Sequence, residues 1–521
     1  MREALPLEIA FKLEVPPEPK FGDLATNAAL ILAGRLRQPP RQVAEGLKRK
    51  IAQCALIEKV EVAGPGFLNL FLRPCFFQDL LRQIEEAGED FGCNDWGQGQ
   101  KVLLEFVSAN PTGPLTIANG RGGFGGDVLA RVLAYAGFTV AREFFVNDAG
   151  RQIKLLGQSI LAVHQKIPPA EDYYAGAYIE DLARNFPAKI VPDSPEQTGL
   201  NFANLLLARE IKPVLKKMGV QFESFFSEKE LHASGALRRT LDFLKKRNLT
   251  FEQAGALWLK TQDFGDAKNR VLVKSDQRPT YFLPDLAYHQ NKFERGFDRL
   301  IVILGADHHG YVPRLKIGVK MLGSGEVEVI LAQLVKLFAG KQELRMSKRA
   351  GNFETLNELI KEVGADVCRW FFLERAWNTH LNFDLQLAKK QSKENPVFYV
   401  QYAYTRLHSI LAKARVNWPD LAVAEADLSL LTERTELDLI RKLAELPGLV
   451  QLVAQSFEVH RLPVFARELA ELLHRFYAAC LVLDAKNLAL TAARLRLVRV
   501  VATVLRILLV KLIGVAAPEK M

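Results

Sequence analysis

Between residues 101 and 375 short apolar runs alternate with helical stretches, and this alternation constrains the fold more than any other feature. Val102–Val107 and Thr139–Val146 open the pattern, and Arg270–Lys274, Leu300–Leu304 and Val327–Leu331 continue it. Strands spaced by helices predict an α/β domain built on a doubly wound parallel sheet. The stretch 155–265 is more helical and less regular. It reads as an insertion between the two halves of the sheet.

The flanks have other periods. In residues 1–75 the run Leu7–Leu13 has β character, Asp23–Arg37 has helical spacing, and Lys59–Val62 and Phe67–Leu72 alternate at period two around Gly64-Pro65-Gly66. That predicts a small α+β domain with a hairpin. A helix over Phe76–Gly88 and a Gly/Asn/Asp-rich loop at Gly92–Gly99 make 76–100 a linker. From 385 to 521 the pattern is helical. Leu439, Leu443 and Leu446 share one face, as do Val450, Val453 and Phe457, which predicts an all-α domain. Three units suit 521 residues at about 150 residues per domain.

Composition narrows the class. With 49% hydrophobic and 25% charged residues, the chain is neither disordered, collagen-like nor a disulfide scaffold. Its five cysteines lie far apart without CxxC spacing, so neither a zinc ribbon nor a redox motif is expected. No signal-peptide pattern opens the chain, which predicts a cytoplasmic protein. The most apolar stretch, 497–513, is broken by Arg499, Arg506 and Lys511, whereas a membrane span needs about 20 apolar residues. A net charge of +10 suits a polyanionic partner.

Three segments could carry chemistry. In the first, a strand ends near Val107, a loop with Pro111, Gly113 and Pro114 follows, and a glycine-rich helix begins before Asp127. Free N–H groups and the helix dipole at that edge suit a phosphate, though glycines alone fit a structural turn equally well. In the second, Arg345-Met346-Ser347-Lys348-Arg349 could set an ammonium on a phosphate chain; a solvated basic loop is the plainer reading. In the third, Asp285 falls one helical turn after Tyr281, ahead of Gly305-Ala-Asp307-His308-His309-Gly310. A carboxylate beside an aromatic face suits a planar cation, though without further context an ordinary helix start with a solvated Asp is the slightly favoured reading. Adjacent histidines point apart, so metal ligation is disfavoured.

Together these segments resemble the class I aminoacyl-tRNA synthetases, and specifically the arginyl-tRNA synthetase family, nearly end to end. Phe21-Gly-Asp-Leu-Ala-Thr-Asn27 and Val62-Ala-Gly-Pro-Gly-Phe67 resemble its N-terminal additional domain. Ser108-Ala-Asn-Pro-Thr-Gly-Pro-Leu115 leads into the "HIGH" position, and Arg345–Arg349 sits at the "KMSKS" loop. Asn147-Asp-Ala-Gly150, Tyr399-Val-Gln-Tyr402 and Ala516-Ala-Pro-Glu-Lys-Met521 match further family segments. The resemblance implies a Rossmann-like catalytic domain over 101–375, an N-terminal tRNA-contacting domain and a C-terminal helical anticodon-binding domain. It implies ATP-dependent charging of tRNA(Arg) with L-arginine, Mg²⁺ entering with ATP, no zinc and no membrane, by a monomer. Glu105, Asn110, Tyr281, Asp285 and His309 would then hold arginine. Pro111, Gly113, Thr116, Ala118, Asn119, Arg121, Gly305, Asp307, His308, Met346 and Lys348 would hold ATP. Thr116, Asn119, Ser347 and Lys348 would act on the phosphates.

Two departures stand out. The HIGH signature reads Thr116-Ile117-Ala118-Asn119, and the KMSKS loop begins with Arg345. Thr and Asn donate hydrogen bonds but cannot carry a proton charge as His can. That leaves a second reading open, a weakened or inactive synthetase-like tRNA-binding protein. The cysteinyl enzyme is disfavoured by the lack of cysteine zinc ligands. The family usually has one more helix before its first strand, so the start is expected to be truncated.

Overall fold

The computed structural model describes residues 11, 13–14, 16, 18–186, 191–323, 325–340, 342–344 and 355–521. Its N-terminal part is an antiparallel sheet of β1 (Leu13–Glu14), β2 (Leu24–Thr26), β3 (Ile57–Ala63) and β4 (Phe67–Leu72), in the order β1-β2-β4-β3. Helices α1 (Ala28–Leu36) and α2 (Pro40–Ile51) pack on it through Ala28, Ala29, Leu32, Val43, Ala44 and Leu47. The expected helix over Asp23–Arg37 therefore starts late. Its first residues form β2, because the Asp23 N–H pairs with Leu70 O (2.8 Å) and the Asp23 carboxylate takes the Leu72 N–H (2.7 Å). The run Leu7–Leu13 lies almost wholly outside the described residues. Helix α3 (Pro74–Ala87) leads out of this unit.

The central sheet holds five parallel strands in the order β12-β11-β5-β6-β7. They are β5 (Lys101–Glu105), β6 (Thr139–Val146), β7 (Ser224–Ser227), β11 (Arg299–Gly305) and β12 (Val327–Ala332). The chain winds outward from β5 to β7, returns to β11 on the other side of β5, and ends at β12. The reversal falls between β5 and β11, and a crevice opens there at the carboxyl ends of the strands. Helix α4 (Ile117–Tyr135) crosses from β5 to β6. Its glycines permit close packing: a Cβ on Gly126 would stand 2.4 Å from the Phe106 ring, and one on Gly125 2.2 Å from Trp377.

Residues 155–265 do not form a purely helical insertion. Helices α5 (Gly150–Val163), α6 (Ala177–Arg184), α7 (Pro195–Leu206) and α8 (Lys212–Lys217) lead into β7, which joins the main sheet. Helices α9 (Glu228–Ala233) and α10 (Ala236–Lys246) follow. Arg270–Lys274, expected in the parallel sheet, instead supplies β10 (Arg270–Val273) to a separate antiparallel sheet with β8 (Thr250–Gln253) and β9 (Ala256–Leu259). An apolar run specifies burial but not the sheet that provides it.

Helices α5 and α7 cross in near contact. A Cβ on Gly157 would lie 1.8 Å from Pro195 O, and one on Gly199 1.8 Å from Ile153 O. Gly157→Ala is expected to force the pair apart, at the cost of about 1–3 kcal/mol typical of overpacking or more. Limited proteolysis should then cut within 150–206 faster than in the parent; unchanged cleavage would contradict the contact.

Helices α11 (Phe282–Glu294) and α12 (Val312–Leu322) flank β11. Beyond β12 come β13 (Val335–Ala339), β14 (Gln342–Leu344), α13 (Leu356–Val363), α14 (Ala365–Leu373), β15 (Leu381–Asp384) and α15 (Leu385–Lys389). The chain then forms the bundle of α16 (Pro396–Asn417), α17 (Arg434–Ala444), α18 (Leu446–Ser456), α19 (Arg461–Ala479) and α20 (Leu488–Arg506), which runs on into Ile507–Ile513. One apolar core joins the N-terminal sheet, α4 and this bundle. No described helix is long and apolar enough to cross a membrane.

Candidate active site

At the reversal point lies an open cavity of about 620 Å³. Val107–Asn110 and Thr112–Pro114 form one wall, the first turns of α4 another, and Gly305–His308 with Ala332–Leu334 a third. The strand ends abruptly because Val107 and Ser108 both take positive φ (66° and 38°). A β-branched residue in that region is strained. Ser108 ties the reversal down: its hydroxyl donates to Glu105 Oε1 (3.1 Å) and accepts the Phe145 N–H (3.0 Å).

Thr116 caps α4, and its N–H and hydroxyl both donate to Asn119 Oδ1 (2.8 and 2.9 Å). Thr116-Ile-Ala-Asn119 thus forms a self-consistent helix start, with both polar side chains and the exposed Ala118 on the cavity. The helix dipole favours an anion there. Gly113, Gly305, Asp307 and His308 also line the cavity, and His308 Nε2 lies 3.5 Å from Asp307. Tyr178 from α6 lines it too; no local signal marked it.

Four expected placements differ. Arg121 does not face the cavity: it is 1% exposed and donates to Gln333 O (2.8 Å) and Ala376 O (2.6 Å). Burial lowers its pKa to about 10, so it stays charged while fastening α4 to the β12–β13 turn. Pro111 is buried and His309 exposed, and neither lines the cavity. Glu105 is 7% exposed and already engaged, by Ser108 and by Lys292 Nζ at 2.5 Å. Met346, Ser347 and Lys348 lie outside the described residues.

Behind the Val107–Asn110 wall sits an acidic group. Residues 281, 285, 288, 292 and 295 form one stripe of α11 and its ends: Tyr281, Asp285, Tyr288, Lys292 and Arg295. Tyr281 stands open to solvent, with its hydroxyl taken by Arg314 and its ring 5.6 Å from that of Tyr311. The Asp285 carboxylate accepts the Tyr311 hydroxyl. Burial, reinforced by Glu105 and Glu228, raises the Asp285 pKa to about 7. With its amide turned so that the nitrogen faces the acid, Asn147 donates to Glu228 Oε2 (2.7 Å) and sets its oxygen 3.2 Å from the Asn110 side chain, which brings the acidic group up to the cavity wall. Glu143 is fully buried and held by Tyr288 (2.7 Å) and Arg295 (2.6 Å). Sequence reasoning missed Lys292 and Arg295, although their spacing from Asp285 was legible. Tyr311 and Glu228 carried no such signal.

A parallel sheet of this order, with a helix N-terminus on one side of its crevice and a buried acidic group on the other, is the arrangement expected of a class I aminoacyl-tRNA synthetase, and residues 88–369 belong to that class. Residues 88–369 match the family model for the class I (R) tRNA synthetase catalytic domain, residues 2–72 the arginyl tRNA synthetase N-terminal domain, and residues 400–521 the DALR anticodon binding domain. The chain belongs to the arginyl-tRNA synthetase family. It is 44% identical to the arginine–tRNA ligase of Solidesulfovibrio magneticus over 98% of this chain and 95% of that one. The arginine–tRNA ligase of Carboxydothermus hydrogenoformans is 42% identical over 99% and 95%. The Thermus thermophilus arginyl-tRNA synthetase structure superposes with a TM-score of 0.79 at 21% identity, over 100% of this chain and 98% of that one. These relatives lend no support to a tRNA-binding protein without catalysis.

Proposed function

We propose that this chain is an arginine–tRNA ligase working in two steps. A carboxylate oxygen of L-arginine attacks the α-phosphorus of ATP, giving arginyl-adenylate and pyrophosphate. The terminal ribose hydroxyl of tRNA(Arg) then attacks the adenylate carbonyl and AMP leaves. Positioning and charge stabilisation carry both steps. ATP enters as its Mg²⁺ complex, the metal being part of the substrate; among the described residues no group of three or more His, Cys, Asp or Glu could hold a metal.

What supports this reading is the acidic group of Asp285, Glu105 and Glu228, joined through the Glu105–Ser108 hydrogen bond to the Val107–Asn110 wall of the cavity. Asp285 receives the guanidinium, with Tyr281 beside it as an aromatic face, and Asn110 takes the amino group. Gly113, Thr116, Asn119, Gly305, Asp307 and His308 face the nucleotide. By resemblance, Ser347 and Lys348 meet the phosphates. The protein acts as a cytoplasmic monomer.

The test is arginine- and tRNA-dependent pyrophosphate exchange, and no exchange at any tRNA concentration sinks the proposal. Thr116→Ala/Asn119→Ala removes the hydroxyl and amide beside the phosphates. It is expected to lower kcat by about 10²-fold, as loss of one preorganised donor does. The arginine KM should change less than about threefold, since neither residue belongs to the acidic group. A KM effect in place of a kcat effect would move these residues out of the phosphate role.

A further inference from the structure

Lys292 raises a question of charge. It is 1% exposed, its Nζ is 2.5 Å from Glu105 and 3.9 Å from the centre of the Tyr288 ring. It therefore holds a buried ammonium beside the group that would receive a cationic substrate, where a like charge should weaken binding. Buried ammonium groups are costly unless paired, so its presence calls for a reason.

The reason lies in the neighbouring acids. Asp285 is faced by Glu105 from the end of β5, by Glu228 from α9 and by Tyr311 from the start of α12. On its own helix Lys292 opposes the carboxylates, and His289 adds no charge because burial lowers its pKa to about 3. Glu143 is matched by Arg295. Carboxylates crowded together out of water take up protons near neutral pH, and a protonated carboxyl cannot pair with a guanidinium. Lys292 offsets part of the Glu105 charge at Asp285, and the 2.5 Å pair with Glu105 engages the ammonium.

We propose that Lys292 is a positioning residue for the amino-acid site: its closed pair with Glu105 limits the negative charge that Asp285 faces, so that Asp285 can ionise against the substrate guanidinium. This rests on the proposed role of Asp285. The two single variants must therefore act in opposite directions. In Lys292→Met, Glu105 turns its charge on Asp285. The acid limb of kcat/KM for arginine should move up by about one pH unit, within the one to three units a close charge produces. The arginine KM at pH 7 should rise by about 10–50-fold, with the ATP KM within twofold. In Glu105→Gln the unpaired ammonium turns to Asp285. The acid limb should move down, and the arginine KM should rise through competition.

The double variant Glu105→Gln/Lys292→Met removes both charges. It should restore the pH midpoint and bring the arginine KM to within about fivefold of the parent. The experiment is tRNA-dependent pyrophosphate exchange from pH 5.5 to 9 on all four proteins, with thermal unfolding of each. Shifts in the same direction, no shift, or a folded double variant as impaired as the worse single variant would overturn the proposal and leave Lys292 a packing residue. If one single variant does not fold, the double variant decides. A parent that exchanges without arginine would instead sink the reading of Asp285 itself.

Discussion

Asp285→Asn is expected to raise the arginine KM by about 10²–10³-fold while the ATP KM stays within about twofold. A carboxylate offers two equivalent acceptor oxygens and a full charge to the guanidinium fork. The amide offers one acceptor, turns an N–H₂ toward the substrate's own donors, and carries no charge. The stated change corresponds to about 3–4 kcal/mol, within the 2–5 kcal/mol found when one partner of a buried charge pair is truncated. The nucleotide should be indifferent, because Asp285 does not line the cavity at the start of α4. Tyr311→Phe is the control: it removes the hydroxyl that Asp285 accepts but keeps the charge. Its effect on the arginine KM should stay below about tenfold, the scale of a single hydrogen bond. An unchanged KM in Asp285→Asn would remove the residue from guanidinium binding.

The second large effect is expected far from the chemistry. Asp127 on α4 is 1% exposed and accepts from Arg369 Nη1 (2.6 Å) and Arg131 Nε (2.8 Å). Arg369, 2% exposed, also donates to Ile513 O (3.1 Å) and Met218 O (2.7 Å), and Arg131 to Val510 O (3.2 Å). One carboxylate thus holds two guanidinium groups that grip the end of the helical bundle against the helix that begins at the cavity. Asp127→Asn takes the paired carboxylate from the buried Arg369, leaving only the more weakly acting Asp366. Breaking such a pair costs about 3–5 kcal/mol. Urea unfolding followed by tryptophan fluorescence should show it, because Trp370 is 1% exposed next to Arg369. The tRNA KM should rise as well, since the carbonyls of Ile507–Ile513 lose part of their hold. A loss below about 1 kcal/mol would show that the remaining contacts suffice.

How much of the site was legible depended on distance along the chain. The stripe from Tyr281 through Asp285 to Lys292 repeats at helical spacing, so its shared face could be read directly. Glu105 and Lys292 are 187 positions apart, and Asp127 and Arg369 are 242 apart; nothing local announces either pair. Arg121 shows the opposite error. A cation within a glycine-rich helix start looks like a phosphate ligand, yet it satisfies the carbonyls of Gln333 and Ala376. The glycines beside it had an ambiguous meaning too. At Gly125 and Gly126 they serve close packing on Trp377 and Phe106.

Local sequence determined most of the element types, the alternation of strands and helices that makes a doubly wound sheet, and the order of motifs that marks the family. Those depend on periodicity and turn chemistry over a few residues, which the chain states outright. Tertiary structure alone decided which charges meet, that β10 leaves the parallel sheet, and that Glu105 answers to an internal lysine. Side-chain period records that a face is buried; only the completed fold determines what buries it, and therefore which charges are cancelled and which are left for a substrate.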